Sequence, residues 1–206
     1  LQRLVSAASP LLLVLTAFTA HEASAQVLVQ YDPVGSQGSG SGVFPAINAP
    51  STTVSELTQV GFGGWGNTDV WPVGQLGLAS TTIDLTRYVT FTVDAPTLIT
   101  YTSLSYSRRS YLSDGNRAAA VRTSVDNFAT DVASLTGINP QGDVQIDLDL
   151  TGLAPTLGLV EFRLYFYDAP IAGGDWVDLV SSNSGGTGLV LSGSVSNDVG
   201  VNYCTA

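Results

Sequence analysis

Residue types on which many enzymes depend are scarce in this chain. All seven basic residues are arginine, so lysine is absent, and there is one histidine and one cysteine. The histidine, His21, lies within an N-terminal segment that has the features of a cleaved leader. A mature chain without histidine or lysine excludes a Ser-His-Asp triad, a Cys-His pair, a Schiff-base lysine and a histidine-based zinc site.

Positive charge is scarce as well, since the formal net charge is −10. Such an acidic surface repels phosphate backbones, so nucleic acid is not expected as a partner. The chain also has no apolar run long enough to cross a membrane, so no membrane span is predicted.

The N-terminal residues 1–25 predict a secretory signal peptide. Arg3 supplies the positive start, residues 11–20 are apolar, and Ala23-Ser24-Ala25 is an A-x-A cleavage tripeptide. We therefore expect cleavage before Gln26 and a secreted protein, located outside the cell or at the cell surface.

Residues 26–198 are predicted to form one domain with a sizeable core. Cys204 has no possible partner in the sequence. A secreted protein seldom leaves a thiol unpaired, so residues 199–206 are predicted to begin a linker or a following module, with a buried thiol as the alternative.

The domain is predicted to be all-β. Apolar and polar residues alternate with period two, β-branched and aromatic residues are frequent, and turns fall at Gly, Asn, Asp and Pro. The predicted strands cover residues 27–31, 52–59, 86–94, 98–108, 116–125, 143–150, 159–168, 175–180 and 187–196. Many short strands with regular turns predict a single antiparallel β-sandwich, jelly-roll-like in topology.

Strand parity assigns the faces of these strands. The inward sets are predicted to be Val160, Phe162, Leu164 and Phe166; Val144, Ile146, Leu148 and Leu150; and Ala119, Val121, Thr123 and Val125. Arg122 and Arg163 point outward, and we expect the outward Asp147 and Asp149 to pair with them across strands.

Four of the seven arginines fall within residues 106–128. Charge balance on an acidic surface is one explanation, and a site for anions or sugars is the other. Outward Tyr165 and Tyr167, together with Arg163 and Arg122, would form an amphipathic arginine–tyrosine patch suited to sugar rings. Stabilisation of the sheet, or cover by a loop, are the competing interpretations of this patch.

Trp65 and Trp71 lie among glycines in "GFGGWGNTDVWPVGQLG". Exposed indoles beside glycine-rich loops can stack on sugar rings, whereas buried ones would close the end of the sandwich. Both interpretations stay open.

A structural Ca²⁺ site is a second hypothesis, and no other cofactor is expected. Asp32 follows the first strand, Asp175 and Asp178 lie in a late one, and the first and last strands of a jelly roll often lie close together. The alternative is that these carboxylates are solvated surface groups.

Catalysis would require two carboxylates at a defined separation, one with a raised pKa. Glu161, Asp147 and Asp149 are candidates on a predicted common face, but the neighbouring Arg163 would depress their pKa values. We therefore predict that the protein is not an enzyme.

Four segments carry a family resemblance over roughly residues 86–196: "TSLSYSRRS", "VRTSVDNFATDVAS", "VEFRLYFYDAPIAGGDWVDLV" and "LVLSGSV". They resemble landmarks of secreted, largely uncharacterised β-sandwich proteins of Gram-negative bacteria that are related to PEP-CTERM sorting-domain proteins. The resemblance implies export, a jelly-roll-like sandwich and association with envelope or extracellular polysaccharide, and no catalytic residue. The chain departs from the family in lacking the sorting signal and in having Asp178-Leu179-Val180 where Asp-Asn-Val is usual.

The sequence thus predicts a non-catalytic, extracellular or cell-surface β-sandwich that binds or associates with polysaccharide. The alternative is a purely structural envelope, matrix or adhesion protein with no discrete ligand site. A glycoside hydrolase or lyase is the third hypothesis.

Overall fold

The structure is a computed structural model that describes residues 24–34, 42–62, 70–76, 81–110, 118–138, 142–167 and 175–196. For residues 70–76, 110 and 175–178 it describes the backbone alone. The strands in these ranges are β1 (Gln26–Tyr31), β2 (Pro45–Asn48), β3 (Thr53–Val54), β4 (Thr58–Val60), β5 (Val70–Leu76), β6 (Tyr88–Asp94), β7 (Ile99–Ser110), β8 (Ala118–Thr123), β9 (Ala133–Leu135), β10 (Gly142–Asp149), β11 (Val160–Tyr167), β12 (Asp175–Val180) and β13 (Leu189–Val195). Two 3-10 turns, Ser124–Asp126 and Ser182–Ser184, are the helical elements of this part of the chain.

The strands form two antiparallel sheets. The seven-stranded sheet has the order β2-β1-β13-β7-β12-β5, and β10 pairs with β7 as well. The six-stranded sheet has the order β3-β6-β11-β8-β9, and β4 also pairs with β6. The prediction of an all-β antiparallel sandwich is confirmed, and the first and last of these strands, β1 and β13, are neighbours.

The core lies between the two sheets and follows the predicted alternation. Val160, Phe162, Leu164 and Phe166 of β11 are all buried. The Phe162 ring stacks on Phe91 with centroids 5.2 Å apart. Such aromatic pairs add about 0.5–1.5 kcal/mol beyond the burial of their area.

One inward prediction is wrong, because Val125 is 53% exposed. The chain leaves β8 at Thr123 and enters a 3-10 turn, so the period-two alternation stops two residues earlier than expected.

All nine predicted strands are present, the one at residues 52–59 as the two short strands β3 and β4. The sequence did not predict β2, β5 or β9. The short β2 and β9 lack a buried alternation of their own, and each lies at an edge of its sheet. Edge strands are defined by backbone pairing with a neighbour rather than by an amphipathic pattern.

The expected pairing of Arg122 and Arg163 with Asp147 and Asp149 is wrong. The two arginines lie on β8 and β11 of the six-stranded sheet, whereas the two aspartates lie on β10 of the seven-stranded sheet. The outer faces of the two sheets point to opposite sides of the sandwich. The same arrangement separates Glu161 from Asp147 and Asp149, so these carboxylates do not share a face.

Strands β12 and β13 follow the same edge of β7, one after the other. Leu179 of β12 is opposite Arg108, and Leu189 of β13 is opposite Tyr106. Residues 181–188, which we call the β12–β13 connection, leave this edge and return to it. The β12–β13 connection therefore interrupts the strand pairing along this edge of β7, and the Ser107 N–H donates to the Gly188 carbonyl where the pairing resumes.

None of the helical turns in the described ranges has the length and apolarity that a membrane crossing requires.

Candidate functional site

The outer face of the six-stranded sheet carries the arginine–tyrosine patch. Arg163 on β11 donates from Nε to Oε1 of Glu161 at 2.7 Å. Its guanidinium carbon lies 3.5 Å from the ring centroid of Phe128 and 4.4 Å from that of Tyr88. Desolvation lowers the pKa of Arg163, but the hydrogen bond and charge of Glu161 outweigh it and leave this pKa raised. The guanidinium is thus held between two aromatic rings and a carboxylate of the protein itself.

The second arginine of the patch is held in the same way. Arg122 donates from Nε to Asp131 Oδ1 at 2.6 Å and from Nη1 to the carbonyl of Phe128 at 3.1 Å. Its guanidinium carbon lies 5.8 Å from the ring centroid of Tyr165. The charge-balance interpretation therefore accounts for the contacts of Arg122 and Arg163.

Tyr165 lies on the outer face, as parity predicts, but it is only 1% exposed. Tyr88 packs on it with ring centroids 5.7 Å apart, and Arg122 and Arg163 lie beside it. Burial raises the pKa of Tyr165, and the positive charge of the neighbouring Arg163 opposes this shift. The expectation that this ring is open to a sugar is wrong, because its neighbours on the sheet cover it. Tyr167, opposite Ala118, is half-buried.

The loop after β8 places Phe128 over Arg163. Asn127 and Phe128 have φ angles of 58° and 60°, a left-handed conformation that is costly for a bulky residue. Asp126 stabilises the bend by accepting hydrogen bonds from the backbone of Ala129 and Thr130 and from the Thr130 hydroxyl. The Thr130 hydroxyl is the main reason that the pKa of Asp126 is lowered.

The outer face of the seven-stranded sheet is different, because it presents hydroxyl, amide and carboxylate groups in rows across the strands. One row runs through Gln30, Val190, Ser105 and Asp147, which are opposite one another on β1, β13, β7 and β10. The next row runs through Ser192, Ser103 and Asp149. Directly opposed residues of antiparallel strands point to the same face. We call this surface the polar face; it comprises Gln30, Ser103, Ser105, Ser107, Gln145, Asp147, Asp149, Thr187, Val190 and Ser192.

The polar face has a floor of small side chains beside a row of longer ones. The serines of the polar face, Ser103, Ser105, Ser107 and Ser192, are half-buried or buried, whereas Asp143, Gln145, Asp147 and Asp149 of β10 are exposed. On the opposite side of the floor, Ile47 of β2 is 49% exposed. The serine side chains are therefore shorter and less exposed than the carboxylate and amide side chains of β10 beside them.

One end of this floor opens into a cleft of about 180 Å³, lined by Ser107, Asp143, Val144, Gln145, Val180, Gly185 and Gly186. Ser107 is the lining residue with the most hydrogen-bond contacts among the described side chains. Its hydroxyl lies 2.7 Å from Gln145 Oε1 and 3.0 Å from the Thr187 hydroxyl, and it accepts from the Thr187 backbone N–H at 2.8 Å. Gln30 donates to the Thr187 carbonyl at 3.1 Å. Four polar residues from distant parts of the sequence are thus held in one network.

Two glycines allow the β12–β13 connection to form this cleft. A Cβ on Gly186 would meet the backbone of Val180, and a Cβ on Gly188 would meet the carbonyl of Tyr31. Gly188 also has a φ of +65°, the left-handed region that favours glycine. The Gly188 N–H donates to the Val180 carbonyl at 2.8 Å, which closes the connection on itself.

An ion pair forms the rim of the cleft. Arg109 donates from Nε and Nη2 to the two carboxylate oxygens of Asp143 at 2.6 and 2.7 Å. This bidentate hydrogen bond from Arg109 is the main reason that the pKa of Asp143 is lowered. Of the other arginines in the 106–128 segment, Arg108 is buried on the inner face and Arg117 lies outside the described residues.

The calcium hypothesis rests on Asp32, Asp175 and Asp178. Asp32 accepts from the backbone N–H of Ser182 at 3.0 Å and from its hydroxyl at 2.5 Å, so both of its oxygens bond to the Ser182–Ser184 turn. The side chains of Asp175 and Asp178 lie outside the described part of the structure. Among the side chains that are described, no three potential ligands come together to hold a metal ion. A calcium site stays a prediction.

The tryptophan hypothesis is also untested. Trp65 lies outside the described residues. Trp71 is in β5, opposite Leu179 of β12, in a strand described by its backbone. Residues 1–23 and 197–206, which include the predicted leader and Cys204, are outside the described ranges as well.

Sequence reasoning missed the hydroxyl and amide network of Ser107, Gln145, Thr187 and Gln30. Alternation does place Gln145 on an outward face, and it places Ser103, Ser105 and Ser107 together on the other face from Leu104 and Tyr106. No local pattern connects Gln30 with Thr187, because the two are 157 positions apart. Only the pairing of β1 with β13 brings them together.

No protein-family model matches the chain, and no curated protein matches it. Among solved structures, two variants of the family 29 carbohydrate-binding module CBM29-2 are similar to it at 16% and 14% identity, with TM-scores of 0.35. These alignments cover 82% of this chain and 92% and 91% of the modules. The arabinose-bound MgGH51 α-L-arabinofuranosidase is similar at 14% identity and a TM-score of 0.40, over 82% of this chain and 28% of the enzyme. TM-scores this low establish no shared function, and the sandwich itself is established by the two sheets described above.

Proposed function

We propose that this chain is a non-catalytic β-sandwich that binds polysaccharide through the polar face of its seven-stranded sheet. The observation that carries this proposal is the network of Ser107, Gln145, Thr187 and Gln30 at the cleft. Sugars present many hydroxyl groups, each a donor and an acceptor, and serine, threonine and glutamine side chains offer both kinds of partner. Groups already held in place by hydrogen bonds lose little conformational entropy when a ligand binds.

The arginine–tyrosine patch is the weaker choice. Glu161, Asp131, Phe128 and Tyr88 take up the contacts of its two arginines. The Tyr165 ring between these arginines is also only 1% exposed. At the cleft, by contrast, Gln145 and Thr187 are exposed, so a sugar can reach them without displacing the hydrogen-bond network.

The carboxylates support a non-catalytic role. A glycosidase requires a general acid, usually a carboxyl with a raised pKa, near a second carboxylate. Every described carboxyl whose pKa departs from its usual value, namely Asp84, Asp126, Asp143 and Asp149, has a lowered pKa because of hydrogen bonds to the ionised form. Glu161 is paired with Arg163 and lies on the opposite side of the sandwich from Asp147 and Asp149.

The predicted signal peptide and the resemblance to PEP-CTERM-related proteins support an extracellular or cell-surface location. A protein exported from a Gram-negative cell meets envelope and secreted polysaccharides, which is consistent with a binding role for the polar face.

Native affinity electrophoresis tests the proposal. The full chain is run in gels containing soluble glucan, mannan, xylan, alginate or polygalacturonate, with Gln145→Ala as the test variant and Ser134→Ala, on the other sheet, as the control. We expect at least one polysaccharide to retard the wild type and Ser134→Ala, and to retard Gln145→Ala less. Retardation by none of them would favour a purely structural protein. Release of reducing ends that Glu161→Gln abolishes would establish an enzyme instead.

A further inference from the structure

We infer that the polysaccharide is uncharged and that its chain lies across the strands, from Gln145 at the cleft to Gln30 on β1. This inference rests on the function proposed above and adds the class of ligand and its direction on the sheet.

The charge of the polar face excludes acidic glycans. Asp143, Asp147 and Asp149 are exposed along β10, and they border the cleft and the serine floor. Among the described residues, the cation next to the polar face is Arg109 at the rim of the cleft, and Asp143 neutralises it through two hydrogen bonds. With a formal net charge of −10 on the whole chain, a uronate or sulfate group would meet repulsion at every approach to the face.

An uncharged sugar fits the same groups. Exposed carboxylates are strong acceptors for sugar hydroxyls, and they need no cation on the ligand to form such hydrogen bonds. The Ser103 and Ser105 hydroxyls provide groups that both donate and accept. A neutral glycan therefore finds partners where an acidic one finds like charge.

The size of the cleft sets how much of the ligand it holds. At about 180 Å³ it is smaller than the roughly 300–1,000 Å³ of pockets that enclose drug-sized molecules. We therefore expect it to take a single sugar unit, while the rest of the chain lies on the open floor.

The direction follows from the hydrogen-bonded row. Gln145, Ser107, Thr187 and Gln30 lie on β10, β7, the β12–β13 connection and β1, in that order. Neighbouring strands are about 4.8 Å apart, so this row spans about 14 Å across the sheet. An extended oligosaccharide along it would contact amide groups at both ends and hydroxyl groups between them.

Calorimetric titration of the full chain with neutral glucan and mannan, and with carboxymethylated forms of the same two polymers, tests the charge. We expect the affinity of the carboxymethylated forms to be lower than that of the neutral forms by a factor of about ten or more at about 0.01 M salt, where the Debye length is about 30 Å. This difference in affinity between the neutral and carboxymethylated polymers should become smaller at about 1 M salt, where the Debye length is about 3 Å. The difference in affinity should also be smaller for the double variant Asp147→Asn/Asp149→Asn. It should be unchanged for Asp94→Asn, which alters an exposed aspartate on the other sheet.

Two glutamine variants test the direction, with circular dichroism as the check on folding. Gln145→Ala and Gln30→Ala should each weaken binding of the neutral polymer by about tenfold, the effect of one well-placed hydrogen bond. If Gln145→Ala weakens binding and Gln30→Ala does not, the proposal that the ligand lies across the strands is wrong. Equal or tighter binding of the carboxymethylated forms would overturn the uncharged ligand while the proposed function stands, and binding of no polymer would overturn the proposed function itself.

Discussion

At the scale of single residues, Arg163 shows how the chain uses its few cations. Its side chain contacts two aromatic rings and donates to Glu161 at 2.7 Å, whereas Arg87, which is about equally exposed, contacts Asp84 at 3.5 Å. The contacts of Arg163 are worth more, because two cation–π contacts add to a short hydrogen bond between charged groups.

We therefore expect Arg163→Met to lower the free energy of unfolding by about 1–3 kcal/mol, since it removes the stacking and leaves Glu161 partly buried without its cation. Arg87→Met is the control and should cost about 0.5 kcal/mol or less. Urea denaturation followed by tyrosine and tryptophan fluorescence measures both. Equal losses in the two variants would show that Arg163 is an ordinary surface charge.

Asp143 gives a prediction on acid stability. Its pKa is lowered in the folded state by the hydrogen bond from Arg109, so its contribution is complete above the unfolded-state pKa of about 3.9. That contribution is lost as the pH falls through the lower, folded-state pKa.

Below about pH 4 the wild type should therefore lose stability more steeply than Asp143→Asn, and the gap between the two should close. Denaturation curves at a series of pH values measure this gap. In an Arg109→Met background the gap should be small at every pH, and a gap that persists there would assign the pKa shift to some other neighbour.

At the scale of elements, the β12–β13 connection decides whether the cleft exists. Gly188 packs against Tyr31 in a left-handed conformation, and Gly185 in the same connection is left-handed but has open space around it. A comparison of substitutions at Gly188 and Gly185 therefore distinguishes the effect of a steric clash from that of backbone strain.

Gly188→Ala should destabilise the protein by about 2 kcal/mol or more, because strain and a backbone clash add, whereas Gly185→Ala should cost about 1 kcal/mol from strain alone. Thermal unfolding measures the difference. Similar costs for the two would mean that the connection is free to shift away from Tyr31.

The positions of the strands could be predicted from the sequence better than the contacts that their outward side chains make. The strand β11 was predicted to within a residue at each end, because its alternation is a local property of Val160, Phe162, Leu164 and Phe166. The burial of Tyr165 was not predictable in the same way. It depends on Tyr88 and Arg122, which reach it through strand pairing and through the bend that the Asn127–Phe128 pair imposes after β8.

At the scale of the whole molecule, the two sheets have outer faces of different chemical character. On the six-stranded sheet the arginines pack against aromatic rings, and on the seven-stranded sheet hydroxyl, amide and carboxylate groups lie at the outer face. The sequence contained both sets of residues, but their separation depends on which sheet each strand joins. The pairing of β10 with β7 rather than with β11 places Asp147 and Asp149 away from Arg122 and Arg163.

The central claim is that polysaccharide binds the seven-stranded side, and backbone amide chemical shifts test it most directly. A ¹⁵N-labelled chain is titrated with the short neutral oligosaccharide of whichever polymer retards it in electrophoresis. We predict shift changes concentrated at residues 29–31, 103–107, 143–149 and 187–192, and little change at residues 118–123 and 160–167. Changes concentrated on β8 and β11 instead would contradict the account and return the binding surface to the arginine–tyrosine patch.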